Sequence, residues 1–378
     1  MSRILILAND NSTIFNFRRE LLSRLIDEGY EVIISVPNHQ RNVEFEKMGC
    51  SVDEINLSRS GTNPIREFAL IKSYRSQIKR INPDLVLTYT AKPNIYGSLV
   101  CQKLNIPYIN NITGLGANFQ GDNLIKRIML TLQKWAYRKS QCVFFQNESN
   151  KTYFEQLKIV VSNSRLLPGS GVNLQLHKFE HYPKDDKTIR FILVSRIRKD
   201  KGYDEFFSSV KSLTEMYSNI EFHIVGWFED EKYRGIIEEM VEKYPVIYHG
   251  NQSQEKVHEL IANCHCLIHP SHHEGLANVL LEAAATGRPC LASNIPGCKE
   301  TIDDGITGFL FKVKDTECLS EAIIKFLKLS QFERKEMGLL SRRKIEKEFD
   351  RQIVVNTYIN KIEELLNKHT GEHKNVAI

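Results

Sequence analysis

Short apolar runs alternate along this chain with longer segments whose apolar residues recur at helical spacing. In the first half, "RILILA", "EVIISV", "DLVLTYT", "YINNIT" and "CVFFQN" read as strands. Helices are predicted over "FRRELLSRLIDEG", "IREFALIKSYRSQIKRI" and "LIKRIMLTLQKWAYRK". Such β/α alternation predicts parallel sheets built from βαβ units. Glycine, proline and mixed charge interrupt it at 169–188, "GSGVNLQLHKFEHYPKDDKT", which reads as a linker. It then restarts with "RFILVS", helix 203–217, "EFHIVG", helix 231–243, "VIYHG", helix 254–263, "CLIHPS", helix 277–286, "PCLAS" and "GFLF". The pattern predicts two doubly wound α/β domains, 1–168 and 189–349, with a last helical stretch, 350–378, returning to the first.

The length of 378 residues suits two such cores better than one. No apolar stretch approaches the roughly 18 residues needed to span a bilayer. The opening "MSRILILAND" lacks the regions of a signal peptide, so a cytoplasmic protein is expected. The eight cysteines are scattered and fit reduced core thiols. The cluster "CHCLIHPSHH" raises a zinc site, but it lacks paired Cys-x-x-Cys spacing and reads better as a buried strand followed by a polar loop. Net charge is +5, unevenly spread. Residues 1–170 carry 22 Lys/Arg against 14 Asp/Glu, and the remainder is slightly acidic. The basic half suggests an anionic partner or surface, with no nucleic acid expected.

The chemistry concentrates in the second half. In open α/β sheets, ligands bind beyond the carboxyl ends of the strands. "HHEG" follows the strand "CLIHPS" there, and "LANVLLEAAA" is the next helix. Glu274 therefore lies at the helix mouth, with Glu282 about 12 Å deeper. The helix amino-terminus between them offers N–H groups and a positive dipole end to a phosphate. In "LVSRIRKDKG", Arg196 and Lys201 follow another strand and can together neutralise a diphosphate. Either pair alone reads as solvated surface charge; together they point to a nucleotide sugar. A dinucleotide is disfavoured, because no G-x-G-x-x-G follows "RILILAND".

"LVSRIRKDKG", "HPSHHEGLANVLLEAAATGRPCLAS" and "GCKETIDDGITGFLF" resemble the carboxyl-terminal domain of retaining, GT-B-type glycosyltransferases of family 4. "GSGVNLQLHKF" is similar to that family's linker. "NDNSTIFNFRREL" and "ITGLGANF" resemble the subgroup that builds bacterial surface glycans on a polyprenyl-diphosphate carrier. The resemblance implies a GT-B fold, two Rossmann-like domains facing a central cleft, with the amino-terminal domain receiving the acceptor. It implies transfer of a hexose or N-acetylhexosamine from a nucleotide sugar, with uridine as the base, to a glycan or polyprenyl-diphosphate-linked sugar. By the same resemblance, Glu274 contacts the donor sugar and Glu282 the ribose. Gly275, Leu276, Ala277 and Asn278 lie against sugar and phosphate through their backbone. Arg196 and Lys201 hold the leaving diphosphate, and Asn251 lies beside the base. No metal or cofactor is expected, since no Asp-x-Asp stands at a strand end.

Two stretches depart from the family pattern. "NDNST" stands where many relatives have a Gly-Gly pair, and Thr113, Gly114 and Gly116 of "NITGLG" stand where many have a histidine. These three either allow close approach of donor or acceptor or simply make a turn. Arg18 and Arg19, near a helix start, suggest an anionic acceptor or plain solvated charge. Helix 124–139 carries Leu124, Ile125, Ile128, Leu132 and Trp135 on one stripe and Lys126, Arg127, Lys134, Arg138 and Lys139 elsewhere. It suits either an anionic membrane surface, placing the enzyme on the inner face of the plasma membrane, or packing on its own sheet. The alternatives in function are an epimerase of GT-B architecture and a catalytically silent nucleotide-sugar binder.

Overall fold

The computed structural model describes residues 1–55, 64–114, 124–160, 162–184 and 187–374. The chain divides into two compact units, residues 1–170 with 352–378, and residues 171–351.

Among the described residues of the first unit, seven parallel strands lie in the order β3-β2-β1-β4-β5-β6-β7. These are β1 (Arg3–Leu7), β2 (Glu31–Val36), β3 (Ser51–Glu54), β4 (Leu85–Tyr89), β5 (Tyr108–Ile112), β6 (Cys142–Phe145) and β7 (Ser164–Leu166). Both faces of β1 are covered, as a central parallel strand requires. Ile4 and Ile6 pack with Leu21, Leu22 and Leu25 of α1 (Asn11–Asp27). Leu5 and Leu7 face the other way, against Tyr74 and Ile78 of α3 (Pro64–Ile81) and Val100 and Cys101 of α4 (Ser98–Leu104). The final helix, α13 (Arg351–Lys374), lays Val354, Tyr358, Ile362 and Leu366 into the α1 side of this core.

Among the elements that escape the sequence pattern are β3, β7, α2 (Asn42–Lys47) and α6 (Glu148–Gln156). The two strands are the sheet's edges, short and largely exposed, so they show little apolar alternation. The two helices are short, and α6 is set by its cap, the Asn147 side chain accepting from Asn150 N–H at 2.8 Å.

Among the described residues of the second unit, six parallel strands lie in the order β10-β9-β8-β11-β12-β13. They are β8 (Ile189–Val194), β9 (Ile220–Val225), β10 (Val246–Tyr248), β11 (Cys266–His269), β12 (Cys290–Ser293) and β13 (Gly308–Phe311). Helices α7 (Tyr203–Met216), α8 (Tyr233–Lys243), α9 (Gln254–Asn263), α10 (Asn278–Ala285), α11 (Thr316–Lys328) and α12 (Gln331–Glu348) complete it. The strand order reverses between β8 and β11, which makes their carboxyl ends the switch point where an open sheet takes its ligand.

From Gly171 on, the stretch expected to be a linker belongs to this unit. Val172 pairs with Asp350, and Arg342 donates to the His177 carbonyl at 3.0 Å. Arg288 anchors the stretch further along. Fully buried, its guanidinium donates to the carbonyls of Glu180, His181, Ala262, Thr286 and Gly287. All eight cysteines are free, seven of them buried. Arg288→Met should leave the carbonyls of Glu180, His181, Ala262 and Gly287 without this donor and cost at least about 3 kcal/mol. A lowered urea midpoint for this unit would show it; an unchanged midpoint would mean that the guanidinium only fills space.

Candidate active site

Two loops meet at the switch point of the second unit. One runs from the end of β8 to α7, the other from the end of β11 to α10. Gly202, at φ +76°, lets them touch: a Cβ there would lie 2.1 Å from the Pro270 carbonyl oxygen. The His272 N–H donates to the Asp200 carbonyl at 2.9 Å, and the Ser271 hydroxyl reaches the same carbonyl at 3.3 Å.

This stitching brings Lys201 and Glu274 together. Lys201 Nζ lies 2.6 Å from Glu274 Oε1, and His269 Nε2 lies 2.9 Å from the same oxygen. His269 is the last residue of β11 and is buried. Burial alone would raise the Glu274 pKa; the His269 hydrogen bond and the Lys201 charge outweigh it and hold the carboxyl well below the usual range. Glu274 is thus a buried, ionised group clamped by two donors. Gly297, at φ +88°, supports it from behind, since a Cβ there would come within 2.9 Å of the Glu274 Cβ.

Arg196 has a different partner, Glu229, at 2.9 Å. Leu276 and Ala277 bury their side chains in the core, so only their backbone is available to a ligand. Ala277 N–H donates to the Gly297 carbonyl at 2.8 Å, which fixes the loop just ahead of α10. Gly275 lies within that loop, and Asn278 opens the helix with a buried Oδ1 that accepts no hydrogen bond among the described residues. Asn251 is exposed just past the end of β10.

Glu282 lies on the second turn of α10 and is mostly buried. His177 Nε2 lies 4.0 Å from its Oε1. Burial pushes Glu282 up to about 7, with Arg351 pulling weakly the other way, and burial drives His177 down to about 3, leaving it neutral. A buried carboxyl that lacks a close partner among the described residues is suited to accept from vicinal hydroxyls.

Sequence reasoning missed His269 and Gly297. His269 is read from the sequence only as part of the strand "CLIHPS", although its position as the last residue of that strand, five before Glu274, is a usable signal. The histidines of that stretch each have a partner of their own. His265 accepts from the Arg190 N–H, His272 pairs with Glu205 and His273 with Asp200, so the rings diverge to separate partners.

In the first unit the picture changes for the arginine pair. Arg18 is buried, its guanidinium over the Tyr89 and Tyr358 rings at 5.3 and 5.6 Å, where it ties α1 to β4 and α13. Only Arg19 is exposed, over the Phe15 ring. Thr113 and Gly114 follow β5 directly; Gly116 lies outside the described residues.

Two parallel-sheet Rossmann-like units in series, with this charged cluster at a switch point, define the GT-B class of glycosyltransferases. Solved structures share the fold. Sucrose-phosphate synthase from Thermosynechococcus elongatus superposes with a TM-score of 0.79 at 16% identity over 97% of this chain and all of that one. HepE from Anabaena, solved with UDP and glucose, gives 0.78 at 15% identity over 96% of this chain and all of that one. Residues 175–342 match the glycosyl transferases group 1 family and residues 3–147 the glycosyl transferase 4-like family, and the chain belongs to these group 1, family 4-like glycosyltransferases. Among curated relatives, the N,N'-diacetylbacillosaminyl-diphospho-undecaprenol alpha-1,3-N-acetylgalactosaminyltransferase of Campylobacter jejuni is 28% identical over 85% of this chain and 88% of its own length. The capsular polysaccharide biosynthesis glycosyltransferase CapM of Staphylococcus aureus is 26% identical over 76% and 80%.

The raised Glu282 pKa has a consequence for stability. A carboxyl whose folded pKa is raised favours the fold below its unfolded value near 4.5 and loses that contribution as pH climbs through about 7. Glu282→Gln should therefore stabilise the free protein by about 2 kcal/mol more at pH 8 than at pH 5, while weakening nucleotide binding. Equal stability changes at the two pH values would contradict the buried, unpaired carboxylate.

Proposed function

We propose that this enzyme transfers a hexose or N-acetylhexosamine, with retention of configuration, from a UDP-linked sugar to a glycan or polyprenyl-diphosphate-linked sugar during surface polysaccharide synthesis. The observation that carries the reading is the Lys201–Glu274–His269 cluster at the switch point. Support for the substrates comes from the names of the Campylobacter and Staphylococcus relatives and from the UDP held by HepE.

The residues divide the work. Arg196 and Lys201 balance the charge that grows on the nucleotide diphosphate as it departs, an electrostatic effect set up before reaction. Glu274, fixed by His269, accepts from hydroxyls of the transferred sugar and places its anomeric carbon. Glu282 accepts from the ribose. The acceptor hydroxyl attacks from the face the diphosphate leaves, its proton passing to a donor phosphate oxygen, so no protein nucleophile is used. The basic pair takes the place of a divalent cation.

The acceptor side rests on α5 (Leu124–Tyr137) in the first unit. Gln133, Ala136 and Tyr137 form its buried face, while Ile128 and Trp135 are exposed, seven residues apart, beside Arg127, Lys134 and Arg138. This part of the apolar stripe is therefore not packed on its own sheet. Lys126 leaves the basic set, half buried over the Tyr153 ring at 5.7 Å. An outward face of tryptophan, isoleucine and three cations suits the interface of an anionic membrane holding a lipid-linked acceptor.

Glu274→Gln should abolish most transfer while leaving UDP binding measurable, and Arg196→Ala and Lys201→Ala should each lower turnover on the order of 10²-fold. Near-normal turnover in Glu274→Gln at saturating donor would remove Glu274 from the reaction. Chelation should leave wild-type activity intact; loss restored by magnesium or manganese would reassign the charge balance to a cation. A donor converted without any acceptor would indicate an epimerase instead.

Replacing Arg127, Lys134 and Arg138 with glutamine should release the enzyme from anionic phospholipid vesicles, since each cation contributes about 1 kcal/mol near such a surface. Transfer to a short water-soluble acceptor should stay intact. Wild-type protein that fails to sediment with those vesicles at low salt would rule the membrane face out.

A further inference from the structure

Trp227 follows β9 at the ligand-bearing edge of the second unit's sheet and is 50% exposed. An isolated exposed indole needs no special account, but the backbone beneath this one is fixed on both sides. The Ile197 N–H donates to the Trp227 carbonyl at 2.8 Å. The Gly226 N–H donates to the Gly250 carbonyl at 2.9 Å, and the Tyr248 hydroxyl donates to the Gly226 carbonyl at 2.9 Å. Gly226 has φ +152° and packs so closely that a Cβ would lie 1.8 Å from the Ser195 carbonyl oxygen. The next residue, Phe228, turns inward, its ring 5.4 Å from that of Tyr248.

Strand register gives the direction of the indole. Val194 pairs with Val225, and Ile197 bridges to Phe228, so Trp227 stands opposite Arg196. Val194 and Val225 belong to the core on the α9 and α10 side, whereas Ile197 and Phe228 belong to the opposite core. Side chains alternate along a strand, which puts Trp227 and Arg196 together on the side that carries Glu282. The sheet order sets β9 between β8, which leads into Arg196, and β10, which leads to Asn251. Neighbouring strands lie about 4.8 Å apart. The edge thus presents in sequence the Glu274 carboxylate, the Arg196 and Lys201 cations, a planar apolar ring, and a polar loop.

We propose that Trp227 is a stacking platform for the nucleobase of a nucleoside diphosphate. The proposal rests on the donor reading above, because the cations next to the ring take the diphosphate and the base is the flat part of the same molecule. Stacking engages the π-face that every base has, so the ring supplies affinity and the neighbouring loop, through Asn251, supplies any choice of base.

The chain has two tryptophans, so Trp135→Phe leaves Trp227 as its sole indole emitter. UDP should quench that emission saturably, with a midpoint matching the Kd from calorimetry, whereas ribose 5-phosphate and pyrophosphate should leave it unchanged. Trp227→Ala should weaken UDP binding about 5- to 100-fold, with Trp227→Phe restoring most of it and pyrophosphate affinity unmoved. UDP that binds by calorimetry without quenching, and with Trp227→Ala within twofold of wild type, would overturn the platform alone. If no nucleoside diphosphate binds the wild type at all, both the platform and the donor reading are wrong.

Discussion

Everything in the second unit's site depends on keeping one carboxylate charged inside the protein. Glu274 is mostly buried, and an unpaired ion there would take up a proton. Lys201 and His269 prevent this by meeting the same oxygen from two strand ends, β8 and β11. The pair holds only while the two loops stay in contact, which is why the local backbone is so particular. Gly202 lets one loop touch Pro270, and Gly297 lets a third segment close behind Glu274. A side chain at either glycine would separate the charges before it disturbed the sheet.

The helix that follows this loop carries the opposite arrangement, eight residues on from Glu274. Glu274 is held below the ordinary carboxylate range, while burial pushes Glu282 up to about 7. Two carboxyls in contrasting surroundings, one met by two donors and one without a close partner among the described residues, are what the proposed division between the reacting sugar and the ribose calls for. The cost of leaving Glu282 unpaired falls on the stability of the free protein, as expected where a site is shaped for a ligand rather than for the fold. The first unit settles its buried charge differently, by placing Arg18 over two tyrosine rings that join α1, β4 and α13.

Much of this was legible in the sequence. The β/α alternation gave both parallel sheets, because their central strands are covered on both faces and read as unbroken apolar runs. The edge strands Ser51–Glu54 and Ser164–Leu166 were invisible because exposed edges do not need that pattern. Glu274, Lys201 and Arg196 could be read from their places after strands, but the partner of each could not. That Lys201 meets Glu274 and Arg196 meets Glu229 follows from loop packing, which no spacing records. His269 was hidden among neighbouring histidines for the same reason. Arg18 shows the reverse error: near a helix start it suggested surface charge, and only the aromatic residues brought in from distant segments reveal why it is inside.

The central claim is that this charge arrangement expels a nucleotide diphosphate and admits the acceptor on the same face, without a nucleophile from the protein. The anomeric configuration of the first product formed from a UDP-α-sugar, followed by proton NMR from the start of reaction, tests it most directly. The account predicts an α-linked product throughout the time course. A β-linked first product would contradict it and require attack from the face opposite the departing diphosphate.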